Sequence, residues 1–341
     1  MSIIISHTSA LEWYRAVPPQ INAGKRLSSP LSLAEHGTNA ADLKGFDPEL
    51  IGLARRPCHV LTSSDRSRSN DKTFFTHTTM LKSIPAGHAR EIGRGLYVVS
   101  PELCCLQIAK SCDVVELVVL ASELCGQYSH FRLSVSGFYN RPPLTSTDKL
   151  AQLARKYPQL PGSSKLLQAL EFTLDGSASP METVVNAMLM LPCSLGGRGL
   201  VRATSNLEVR LDDVASRITG TKTCRIDLGW HGHGVEYDGR ASHQNPDADR
   251  RRREALAHMG YAITVIEGKQ IGSYSQLKKT LDLVCADVPR RARQRSCGGG
   301  DERGLLERLM RLTRANLSFE RLVFPAFVRP ESLVIHKPLD L

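Results

Sequence analysis

Asp227, Glu236 and Asp238 are the residues whose types and spacing first suggest chemistry. They fall on two short alternating segments, Thr223 to Trp230 and Val235 to Gly239, separated by a glycine-containing turn at His231 and Gly232. If the segments are strands joined by a two-residue turn, Trp230 faces His233 and Asp227 lies directly opposite Glu236. Directly opposed residues share a side, with Cβ atoms roughly 4.5 to 5.5 Å apart. Asp238 shares that side and faces Arg225. Carboxylates this close repel one another unless a positive charge sits between them. A hard divalent cation, Mg²⁺ or Mn²⁺, is the expected one, because such ions take carboxylate oxygens. The plainer alternative is a solvated acidic pair on the outer face of a hairpin.

The elements that must position these acids follow from periodicity. Alternation along the first segment places Cys224, Ile226 and Leu228 on one face and Thr223, Arg225 and Asp227 on the other. His243 follows the second segment. Asp249, Arg252, Leu256 and Gly260 then mark a helix ended by a C′ glycine, and Tyr261 to Glu267 reads as a returning strand. Upstream, Ser179-Pro180-Met181-Glu182 opens a helix whose Val185, Met188 and Leu189 face a core. Serine at the cap, proline at the first position and glutamate at the third form a capping box, which by itself explains Glu182.

This ordered set resembles the PD-(D/E)xK nuclease superfamily, within it the branch similar to very-short-patch repair endonucleases, over about residues 176 to 285. The resemblance implies a restriction-endonuclease-like α/β domain with a mixed central sheet flanked by helices, hydrolysing DNA. Asp227 would be the metal-binding aspartate, Glu236 the second acidic ligand, and His243 the downstream histidine near the scissile phosphate. Glu182, on the first core helix, becomes a candidate third acid. Two departures stand out: Asp238 occupies the position where many members carry a catalytic lysine, and the gap between the acidic strands is short. Without that lysine, charge neutralisation falls to His243, an arginine or the metal. Arg252 could clamp a phosphate bidentately or hold helix to sheet by an ion pair.

The chain has 341 residues, enough for two domains, and a formal net charge of +10. That excess fits a polyanionic partner such as DNA. Eight arginines against three acids lie between Arg290 and Arg314, so Arg290, Arg291 and Arg293 are candidate phosphate contacts. A solvated helix with a linker accounts for the same run. Of Arg250 to Arg253, a helix spreads the side chains around its circumference, so only one or two, Arg252 and Arg253 among them, can line a site. Nine cysteines without a CxxC pair read as buried free thiols in a reducing compartment, with no zinc site. No signal peptide and no apolar stretch of membrane-spanning length is visible, so a cytoplasmic protein is expected.

Residues 1–130 read as a separate α+β module. Strands are expected at Ile3 to Ile5, from Cys58, around Phe74, and in the two arms about Gly93-Arg94-Gly95. Helices are expected after Ser100-Pro101 and from the Asp113/Glu116 capping box to Gly126. His59 and His77 read as isolated strand histidines. The strings HVLTSSDRSRS and GLYVVSPELCCLQIA bear a similarity to abortive-infection antitoxin-like modules, which implies a partner-handling or DNA-handling role. Residues 131–163 read as a linker, in which Phe138, Tyr139 and Arg141 either stack on bases or pack. Residues 164–290 form the endonuclease-like domain and 291–341 a basic extension. Two rivals to the nuclease reading stay open: a DNA-binding regulator whose nuclease fold has lost activity, and a protein-interaction module.

Overall fold

The computed structural model describes residues 2–16, 24–62, 70–131, 136–239, 246–290 and 300–313. The first half contributes β1 (Ile3–Ile5), β2 (Lys25–Arg26), β3 (Leu31–Ser32), β4 (Cys58–Thr62), β5 (Phe74–Thr78), β6 (Ser83–Ile84), β7 (Ala89–Gly93) and β8 (Leu96–Val99). Six of these make one mixed sheet in the order β2-β7-β8-β1-β4-β5. β1 reads as three consecutive isoleucines because it is central and parallel to β8, with both faces covered.

Helices α1 (His7–Ala16), α2 (Leu33–His36), α3 (Ala40–Leu43), α4 (Pro101–Ala109) and α5 (Val114–Cys125) accompany this sheet. α4 starts where Ser100 accepts the Leu103 amide and Pro101 presets the first turn. α5 carries the full reciprocal box between Asp113 and Glu116. It is buried almost all round, as a helix apolar on every side must be. Arg15 forks onto the buried Glu123 carboxylate at 2.9 and 2.6 Å, tying α1 to α5.

The stretch read as a linker, residues 131–163, holds a strand and a helix, with further regular elements on either side of it. β9 (Tyr128–His130) pairs with β10 (Phe138–Asn140), and α6 (Thr147–Lys156) and α7 (Ser163–Leu170) pack on the helices before them. α6 is strongly amphipathic, with Leu150, Ala151, Leu153 and Ala154 buried. Arg141 is turned inward, donating from Nη2 to the Glu123 carbonyl at 2.8 Å, and Tyr139 donates to the Arg15 carbonyl. Packing, not base stacking, occupies both.

The second half runs α8 (Pro180–Met190), β11 (Thr204–Arg210), α9 (Asp213–Thr219), β12 (Thr223–Trp230), β13 (His233–Asp238), α10 (Pro246–His258), β14 (Ala262–Glu267), α11 (Gly268–Ile271), α12 (Tyr274–Asp287) and α13 (Glu302–Thr313). Its sheet has the order β11-β12-β13-β14. The first two pairings are antiparallel and β13 with β14 is parallel, the crossover being α10. Gly260 takes φ 83° just past α10, the left-handed turn its sequence anticipates. α12 buries Leu277, Leu281 and Val284, as expected.

Two apolar clusters cover the two faces of this sheet. The larger includes Leu228, Trp230, Val235 and Ile266, and continues unbroken through α5 and α8 to β1 and α13. The smaller joins Val209, Leu211, Ala215, Cys224, Ile226, Ala255 and Leu256 beneath α9 and α10. The architecture is thus α/β, with mixed sheets flanked by helices. Among the described residues no helix is long and apolar enough to cross a membrane. Among the described residues seven cysteines are free thiols, as expected, but Cys193 is disulfide-bonded, which corrects the all-thiol reading.

Candidate functional site

The hairpin register is the one the turn dictates: Trp230 pairs with His233, Gly229 with Gly234 and Leu228 with Val235. Gly232 takes φ 72° at the second turn position, a left-handed conformation that glycine adopts without strain. Beyond Leu228 the ladder stops, although β12 extends back to Thr223 and β13 on to Asp238. The Asp227 carboxylate takes the next amide, accepting the Tyr237 N–H at Oδ2 over 2.9 Å. The sheet therefore forks at Asp227, and Glu236 to Asp238 pair onward with Val265 to Glu267 of β14.

The facing also changes at this point. Leu228 packs in the large cluster while Cys224 and Ile226 pack in the small one, so the three do not share a face as simple alternation predicts. The cause lies on the neighbouring strand. Asn206, which would sit across from Asp227, has a left-handed φ of 50°. It is missing from the ladder, although the pairs on either side keep one register. Its side-chain amide donates to the Gly176 carbonyl at 2.7 Å. A strand that reverses its facing puts Asp227 at the reversal, where its carboxylate is not committed to either apolar cluster.

Three carboxylates gather about the fork, but they do not converge on one point. Burial raises the Asp227 carboxyl, opposed by the Tyr237 amide, Arg252 and Arg225. Burial also raises Glu236, with Asp227 adding to it and Arg252 opposing. Glu182 is pushed up to about 7, chiefly by burial with a contribution from Asp227. Asp227 is electrostatically coupled to both glutamates. Glu182 completes its capping box in a shifted form: Ser179 Oγ accepts its amide, while its carboxylate accepts from Ser179 Oγ at 3.0 Å and from the Ala178 amide at 2.8 Å. Capping and proximity to Asp227 coexist.

The positive charge between Asp227 and Glu236 is an arginine. Arg252 Nη1 donates to Glu236 Oε2 at 2.8 Å, and Nη2 lies 2.6 Å from Oε1. That second contact is off the hydrogen-bonding axis, so Oε1 is buried and charge-compensated without a directed bond. Arg252 also donates to the Arg225 carbonyl. The Arg252 and Glu236 side chains are 31% and 14% exposed, so the pair is only partly screened by water. Among the described residues no group of three or more His, Cys, Asp or Glu could hold a metal ion.

Comparison with protein-family models, with curated proteins and with solved structures finds no match. The site is therefore read from its own chemistry. Asp238 lies at the far end of β13 opposite Glu267, and Arg225 pairs with Glu208 of β11. Arg253 is exposed on α10, with Nε donating to the Asp249 carbonyl at 3.3 Å. Arg290 forms an isolated bridge to Leu200. His243, Arg291 and Arg293 lie outside the described residues.

A second cluster of ionisable groups escaped sequence reasoning. His59 and His77 stand on the adjacent parallel strands β4 and β5, diagonally across one face, with Nδ1 of the first 2.6 Å from Nε2 of the second. His7, at the mouth of α1, stacks on His77 with ring centroids 3.5 Å apart. Nothing local in the sequence links positions 7, 59 and 77. Only the β1-β4-β5 order brings them together.

Proposed function

We propose that the C-terminal half is a metal-dependent DNA endonuclease, with Asp227 and Glu236 as its metal ligands. The observation that carries this reading is the fork itself: half-buried carboxylates on β12 and β13 act on each other electrostatically where the two strands part, each with its carboxyl raised by burial. Such a site holds more negative charge than its surroundings comfortably compensate, and a cation relieves it. The order of helix, antiparallel strands, helix and parallel strand agrees with the restriction-endonuclease-like arrangement that the sequence resemblance implies.

The donor set suits Mg²⁺ or Mn²⁺. Both ligands are hard carboxylate oxygens, and Mg²⁺ is commonly held by one or two carboxylates with the substrate phosphate and water completing its shell. Asp227 Oδ2 is engaged by the Tyr237 amide, and Glu236 Oε1 has no directed hydrogen bond. A divalent ion bound there would lower the pKa of a bound water and offset charge growing on the phosphate. Glu182, at about 7, is poised to exchange a proton near neutral pH. The Tyr237 amide fixes the Asp227 carboxylate, and Arg252 is within reach of any phosphate that approaches Glu236.

One observation favours a second reading, a DNA-binding regulator on the same fold without cleavage. Arg252 already supplies a cation to Glu236, and Asp238 stands where a lysine would complete a hydrolytic site. Supercoiled-plasmid nicking in Mg²⁺ or Mn²⁺ decides between the two. The endonuclease reading expects nicking that falls at least ~100-fold in Asp227→Asn, a variant that retains an oxygen acceptor for the Tyr237 amide. DNA binding that weakens steeply with salt, without nicking in either metal, selects the regulator. Absence of both activities removes both readings.

A further inference from the structure

The histidine cluster lines a cavity of about 660 Å³ between β4, β5 and α4, within the size range of small-ligand sites. Its polar end is made by His7, His59 and His77 with Lys110, Thr78 and Ser111. Its walls are apolar, among them Leu61, Phe75, Leu103 and Leu106. The titratable groups facing it come from every surrounding element: His7 from α1, His59 from β4, His77 from β5 and Lys110 after α4. Among the described residues no aspartate or glutamate lines it.

The rings are held in place from behind. The His7 amide donates to Gln107 Oε1 at 3.1 Å, and its carbonyl accepts from Cys104 Sγ at 3.2 Å. These bonds retain His7 at φ 50°, a left-handed conformation that a β-carbon disfavours. Phe75 lies 4.7 Å from His77 and 5.6 Å from His59, centroid to centroid. A bond between two ring nitrogens needs one proton and one lone pair, so of the facing His59 Nδ1 and His77 Nε2 one donates and the other accepts. The stacking of His7 on His77, nearly parallel at 16°, turns their nitrogens away from a common point and argues against one metal ion.

Burial depresses all three imidazoles, His59 to about 4 and His77 to about 3, and for His7 and His77 repulsion from the neighbouring histidines and Lys110 adds to it. Neutral imidazoles offer N–H donors and ring-nitrogen acceptors, and Lys110 adds a positive charge that no acid among the described lining residues meets. A carboxylate ligand would offer two oxygens to this many donors. A tetrahedral phosphate offers three beyond its ester bond, and because its second proton leaves only near pH 6, it can keep that proton and donate it to a neutral imidazole nitrogen.

We propose that this cavity binds a phosphate monoester with an apolar body, the phosphate placed among His7, His59, His77 and Lys110 and the body against Leu61, Phe75 and Leu103. The assignment is independent of any activity at the sheet fork.

Phenyl phosphate is the probe, titrated into the full chain by calorimetry in two buffers of different ionisation heat, with histidine ¹⁵N spectra alongside. One-to-one binding with net proton uptake is expected at pH 7, weakening by up to about tenfold between pH 7 and 8. Inorganic phosphate should bind at the same histidines at least ~10-fold more weakly, for want of the apolar contact. His77→Asn should lose binding about tenfold or more. Lys110→Ala, at an exposed position, tests the same point without touching the core. Benzoate binding as tightly as phenyl phosphate would overturn the phosphate assignment. No binding of phenyl phosphate at millimolar concentration at pH 6.5, or binding unchanged in both variants, would overturn the site.

Discussion

The fork of the second sheet and the histidine cavity of the first both hold partly buried ionisable groups, acids in the one and bases in the other. At the fork burial raises carboxyl groups that would rather be neutral, and an arginine meets part of the excess. In the cavity burial depresses imidazoles, which stay uncharged. Burial acts identically in the two places, disfavouring whichever form carries charge. What differs is the compensation: an internal cation at the fork, and no acid among the described residues of the cavity wall.

The largest expected effect tests that compensation. Arg252→Ala should cost about 2 kcal/mol at pH 8 by urea unfolding, below the usual loss for a fully buried pair because Arg252 is partly exposed. Adding Glu236→Gln to it should restore about half. A loss under about 0.5 kcal/mol would mean the fork needs no cation.

The next tests concern pH. Glu182 titrates at about 7 in the fold against an ordinary 4.5. The folded chain therefore keeps a proton that the unfolded chain has released, and stability falls as pH rises between those values. Glu182→Gln should flatten that decline by about 1 to 2 kcal/mol, read as unfolding free energy at pH 4.5 and 7.5. The cavity tilts the other way. His77 titrates at about 3 folded against 6.5, so the unfolded chain binds the extra proton and stability is lost as pH drops below about 6.5. His77→Asn should remove about 1 kcal/mol of that acid sensitivity between pH 7 and 5. If both variants shift the profile in one direction, the contrast between the regions is wrong.

Arg253→Ala should have the smallest effect. The residue is exposed on α10, so unfolding free energy should stay within about 0.5 kcal/mol. A change in the salt dependence of DNA binding without a change in stability would separate it from its neighbour Arg252.

Much of this fold is legible in local patterns. The Trp230 to His233 closure, the Ser100 and Asp113 caps, the Gly260 stop and the buried face of α12 each follow from a few adjacent residues. The fork is legible only in part. Alternation places Asp227 opposite Glu236, but the facing reversal is set by Asn206 on another strand. The need for a positive charge follows from the acids, whereas its source, Arg252, depends on where the α10 crossover lands. The helices at 147–156 and 163–170 were masked by prolines and glycines flanking them, although α6 carries a clear apolar stripe. The three histidines carry no shared signal, because long-range strand order alone makes them neighbours.

The large apolar cluster runs from Ile3 through α5 and α8 to Leu312. Severing the polypeptide anywhere along this body would leave each fragment with a raw greasy surface that only the other can cover. The two sheets should accordingly melt together, as one calorimetric transition, and a ligand seated in one should protect amides in the other from exchange.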